Sequence, residues 1–131
     1  MTASRIATVT LVVDDYDRAI AWYTERLGFV LIADDALGGG KRWVLVAPAG
    51  DGGARMLLAK ADTEAEKARI GDQTGGRVGF FLETGDFARD HAAFLARGVK
   101  FHEEPRHEVY ATVAVFEDLY GNLWDLLQPA S

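Results

Sequence analysis

Apolar and polar residues first alternate over Val9-Thr10-Leu11-Val12-Val13, the pattern of a half-buried strand. After Asp14-Asp15 the period changes. Tyr16, Ile20, Tyr23 and Leu27 then fall at helical spacing, and Gly28 supplies a residue suited to the left-handed position past a helix end. Roughly seventy residues further on the plan returns. Val78-Gly79-Phe80-Phe81-Leu82 predicts a strand, Asp86 a helix cap, and Phe87, His91, Phe94 and Leu95 one apolar helix face that ends at Gly98. Tyr16 aligns with Phe87, Arg18 with Arg89, Tyr23 with Phe94 and Arg26 with Arg97.

Three strand-like runs follow each helix. In the first half they are Phe29–Ala33, Arg42–Ala47 and Arg55–Ala59, separated by the glycine-rich turns at Gly38-Gly39-Gly40 and around Gly50 to Gly53. In the second half they are Val99–Glu103, Tyr110–Phe116 and Asn122–Leu127, with a turn at Asp118 to Gly121. Asp62 to Ile70 predicts a short linker helix with Thr63 and Glu66 as a capping box, and 71–76 a flexible joint. The expected fold is therefore α+β: two tandem βαβββ modules, 4–60 and 77–129, joined by a linker helix and joint at 61–76. One helix cannot cover both faces of a four-stranded sheet. The economical arrangement puts the helices outside and curls the sheets into a cupped mixed sheet around a central cleft.

Composition narrows the chemistry. The 131 residues contain no cysteine, which excludes thiolate nucleophiles, disulfides and Cys-ligated metal sites. The only serines are Ser4 and Ser131, at the termini, so serine-hydrolase chemistry is excluded too. A net charge of −6 with scattered Lys and Arg argues against nucleic acid and suits a cationic small molecule better. Asp14-Asp15 interrupts the apolar run from Ile6 too early for a signal peptide, so a cytoplasmic protein is expected.

The sequence Val12-Val13-Asp14-Asp15-Tyr16-Asp17-Arg18-Ala19-Ile20-Ala21-Trp22-Tyr23 resembles the opening of a vicinal-oxygen-chelate protein. That superfamily includes glyoxalases, bleomycin-resistance proteins, extradiol dioxygenases and methylmalonyl-CoA epimerases. Phe116 to Leu126, reading FEDLYGNLWDL, is similar to its terminal hairpin. The resemblance implies four cleft-facing positions that hold a divalent metal in metal-using members, two from each half. Here they fall on Thr8, Met56, Arg77 and Asp125, if Arg55-Met56-Leu57-Leu58 is set against Trp124-Asp125-Leu126-Leu127. Only Asp125 suits a hard metal, and Arg77 would put a permanent cation in the metal's place. No cofactor is expected, a divalent metal entering only if this register is offset. Arg77 and Asp125 are expected to pair instead. The resemblance also implies a homodimer.

Among the histidines, His91 reads as a half-buried helix residue, and His102, Glu103, Glu104, His107 and Glu108 as a solvated loop. His107 is the best placed of these to overhang the cleft. Gly38-Gly39-Gly40-Lys41-Arg42 lacks the spacing of a phosphate loop and reads as a hairpin turn. Trp43, Phe81, Tyr110 and Phe116 are assigned to the cavity, and Trp22 and Trp124 to helix–sheet packing. The resulting expectation is a metal-free protein that binds or sequesters an apolar or aromatic ligand, cationic ones included. Thr8, Trp43, Met56, Arg77, Phe81, His107, Tyr110, Phe116 and Asp125 would contact that ligand. The alternative is a glyoxalase-like lyase, isomerase or dioxygenase. It would use a divalent metal, or acid–base chemistry at Asp125, His107 or Glu83 with Arg77 stabilising an oxyanion.

Overall fold

Two aspartates set the frame of the repeat. In a computed structural model, which describes residues 3–50 and 52–131, Asp15 caps helix α1 (Tyr16–Arg26) and Asp86 caps α3 (Phe87–Ala96). Their carboxylates accept from the Arg18 and Arg89 amides at 2.8 and 3.1 Å, satisfying donors that no helical carbonyl can reach. Gly28 and Gly98, with φ of 72° and 85°, take the chain out of each helix.

The chain divides into two compact units, Met1–Ile70 and Gly71–Ser131. In the first, strands β1 (Thr8–Val13), β2 (Val30–Gly38), β3 (Lys41–Ala47) and β4 (Arg55–Lys60) form a sheet in the order β1-β4-β3-β2. β1 and β4 run parallel and the other pairs antiparallel. The register puts Leu11, Val44, Val46, Met56 and Leu58 on one face, where all are buried with Tyr16, Ala19 and Tyr23 of α1. The Gly38 to Gly40 turn forms as expected, with φ of 94°, 63° and 81°. Beyond β4, α2 spans only Glu64–Lys67. Thr63 caps it, but Glu66 reaches past the cap to the Asp62 amide at 2.8 Å.

In the second unit, β5 (Val78–Glu83), β6 (Lys100–Phe101), β8 (Ala111–Glu117) and β9 (Leu123–Pro129) are ordered β5-β9-β8-β6. A further short strand, β7 (Arg106–His107), also pairs with β8. β5 and β9 are parallel, the rest antiparallel. The run expected over Val99–Glu103 thus shortens to Lys100–Phe101, and β7 is an unexpected second piece in the segment read as a loop, set apart from β6 by Pro105, which cannot donate to a ladder. On the helix side, Phe116 touches Phe94 of α3 edge-on at 5.5 Å and stacks on Trp124 at 5.8 Å. Phe80 lies 4.7 Å from Trp124. Gln128 ties α3 to this sheet: its Oε1 accepts from Phe87 N at 2.9 Å and its Nε2 donates to Gly85 O at 3.1 Å. The last hairpin closes on buried Asp118, which accepts from the backbone and side chain of Asn122 at 2.9 Å. No helix among the described residues is long and apolar enough to cross a membrane.

Candidate functional site

Each sheet has one face covered by its helix and one free of helix. In a ladder, residues opposite one another share a face, so the pairings sort the candidates. In the first unit Thr8 pairs with Arg55, Thr10 with Leu57 and Val12 with Ala59, all on the helix-free face. Trp43 shares that face with Leu45, which pairs with Leu57, and is 40% exposed. Met56 pairs with Val9 and Val46 and is buried on the helix side. Its expected role is therefore corrected: the alternation was set one residue out. The capping aspartates align Thr10 with Phe81, and since Phe81 pairs with Asp125, the counterpart of Asp125 is Leu57.

In the second unit Asp125 lies on the helix-free face in one row with Phe81 and Val115. Phe81 is 65% exposed, and Tyr110 lies beyond the start of β8 at 67% exposure. Phe116 does not line this face; it is fully buried in the aromatic layer under α3. A register shift between Val78 and Phe80 puts Val78, opposite Leu123, where the first unit has Thr8 opposite Arg55. Arg77 precedes the strand and is exposed. Among the described residues no ion pair joins it to Asp125, on which the charges of Arg106 and Glu103 act instead. His107 pairs with Thr112, 3.4 Å away, on the side of the sheet opposite Asp125, so the two form no acid–base pair.

Arg106 and Glu103 were the residues hidden by the sequence. Arg106 pairs with Val113 and so shares the face of Asp125. Its Nε donates to Glu103 Oε1 at 2.8 Å and its Nη1 to Glu108 Oε1 at 3.2 Å. Glu103 Oε2 also accepts from the Val115 amide at 3.0 Å, standing in for a strand partner. Arg106 holds the Glu103 carboxyl below its ordinary pKa. Asp125 behaves the opposite way: burial, with a smaller contribution from Glu103, raises its pKa against the pull of Arg106. Its Oδ1 is buried without a hydrogen-bond partner among the described residues. The spacing Glu103-x-x-Arg106, running from the end of a predicted strand into the loop beyond it, was the one signal available, and the proline inside it obscured which face each side chain takes.

A model of the glyoxalase/bleomycin resistance protein/dioxygenase superfamily matches residues 5–126. The chain belongs to this superfamily. It is 51% identical to an uncharacterized protein of Shewanella frigidimarina over 94% of this chain and 92% of that one. It is 31% identical to YurT of Bacillus subtilis, covering 95% and 98% of the two chains. Among solved structures it is similar to UcmS2, with a TM-score of 0.83 and 31% identity over 96% and 98% of the two chains. It is also similar to TnmS3, an antibiotic binding protein from Streptomyces sp. CB03234, with a TM-score of 0.79 and 30% identity over 99% of each.

Superfamily membership raises the question of a metal. The corrected register gives Thr8 and Leu57 in one unit and Val78 and Asp125 in the other at the positions that metal-using members equip with ligands. One carboxylate and one hydroxyl do not make a hard-metal donor set, which calls for several oxygen or imidazole ligands. Among the described residues, no three His, Asp or Glu side chains group as metal ligands. A divalent ion does not fit these residues.

Proposed function

We propose that this protein binds a small, largely apolar or aromatic molecule at the helix-free face bearing Asp125 and acts by holding it. The observation that carries the proposal is Asp125 Oδ1, a buried oxygen that no donor among the described residues reaches, in one row with the exposed ring of Phe81. Binding sites combine apolar walls with a few unpaired polar groups, and this face has both. Likeness to an antibiotic binding protein over the whole chain supports a small-molecule ligand. Tyr110 and Val109, on the exposed tip of the β7–β8 hairpin, would add apolar contact. Titration with a panel of polycyclic aromatic antibiotics, followed by tryptophan fluorescence and calorimetry, tests this. Saturable one-to-one binding of at least one compound at micromolar concentration is expected, with no product by mass spectrometry. Chemical conversion of the bound compound would refute a holding role.

A homodimer belongs to the same proposal. β2 ends its sheet and carries Val30, Leu31 and Ile32 in succession, exposed by 45%, 40% and 39%. Such an edge is rarely left open to water. Sedimentation velocity is expected to give twice the chain mass, and Leu31→Lys to shift it to monomer.

A further inference from the structure

A buried carboxylate oxygen without a donor opposes folding unless a group from outside the chain completes it. Asp125 Oδ1 is such an atom. The cation closest in effect, Arg106, does not complete it, because its guanidinium is committed to Glu103 at 2.8 Å and to Glu108 at 3.2 Å. Glu103 is in turn fixed by the Val115 amide, and Val115 is the ladder partner of Asp125. One guanidinium thus gives its hydrogen bonds to Glu103 and Glu108 and none to Asp125 Oδ1. Beside it in the same row stands the exposed ring of Phe81.

The missing partner must donate a hydrogen bond and is favoured if it carries positive charge, while an anion meets Asp125 and Glu103 together. Building on the binding role proposed above, we infer that Asp125 anchors a protonated amine carried by an aromatic or apolar ligand. Phe81 offers its ring to the apolar part. Glu103 is a positioning residue: by holding Arg106 it keeps an internal cation from closing on Asp125 and displacing the ligand's.

Three probes sharing one ring system test this: 9-(aminomethyl)anthracene as its ammonium, 9-anthracenemethanol and anthracene-9-carboxylate, titrated by fluorescence at pH 7. The ammonium is expected to bind about tenfold or more tighter than the alcohol, the margin of one charge-assisted hydrogen bond. The carboxylate is expected to bind weakest. Asp125→Asn is expected to bring the ammonium-to-alcohol ratio close to one. Glu103→Gln, which frees Arg106 to reach Asp125, is expected to lose most of the ratio as well, whereas a merely structural role would change all three affinities together. Should Asp125→Asn fail to fold, the ratio in Glu103→Gln carries the test. An unaltered ratio in the folded variants overturns the inference, as does a wild-type protein that binds the alcohol as tightly as the ammonium. That last result leaves the binding role standing, whereas failure of all three probes to bind removes both.

Discussion

At the scale of single residues, the contrast between Asp125 and Glu103 decides what this face can do. Both carboxylates belong to the surroundings of Val115 in one sheet, yet Glu103 has an arginine and a backbone amide while Asp125 Oδ1 has no partner among the described residues. Burial raises the pKa of Asp125, so its ionised form opposes folding at neutral pH. That penalty fades as pH falls through the raised value, because the folded protein then takes up the proton more readily than the unfolded chain. Asp125→Asn is accordingly expected to stabilise the ligand-free protein at pH 7 by about 1 kcal/mol, the low end for an unsatisfied group that is only half-buried. Thermal melts followed by circular dichroism should show the gain at pH 7 and its loss toward pH 4. A lower melting temperature at neutral pH would contradict it. The residue itself was readable from the sequence, since the terminal hairpin points to Asp125. Its surroundings were not, because Glu103 and Arg106 flank a proline and look like solvated charge.

Elements show why the fold was easier to read than the register. Helices announce themselves through capping aspartates, apolar spacing and terminal glycines, and all three agree in both halves. A strand such as Arg55-Met56-Leu57-Leu58 is apolar at successive positions, so alternation cannot say which side chain meets the helix. One residue of slip moved Met56 to the wrong face. Around Gly79 the ladder skips a residue, and no single offset aligns the two halves throughout. A Cβ added at Gly79 would come within 2.9 Å of the Thr74 side chain, so the small residue suits the irregularity. Phe116 was misplaced for a related reason: aromatic residues serve either face equally well. The tie between α3 and its sheet is a long-range side-chain contact with no local signature. Gln128→Ala removes both of its bonds, to Phe87 N and Gly85 O. A loss of about 1–2 kcal/mol is expected, read as a lower urea midpoint with an unchanged slope.

For the molecule as a whole, family membership specifies the scaffold and leaves the chemistry to the residues mounted on it. Thr8, Leu57 and Val78 leave Asp125 as the single anionic donor among the four positions. Protein purified without chelators is expected to carry well under one equivalent of zinc, nickel, manganese or iron by elemental analysis. A stoichiometric metal removed by chelator with loss of ligand binding would refute the donor-set argument. The bond from the Val115 amide to Glu103 has a consequence of another kind. Where β8 lacks a neighbouring strand, a side chain occupies a backbone donor that could otherwise template another chain. Truncating Glu103 to alanine would therefore leave that donor unpaired in the gap between β6 and β7, a local weak point that favours association of partly opened chains. A directed-evolution screen for altered ligand preference should find this position depleted among soluble clones, for reasons unrelated to the ligand.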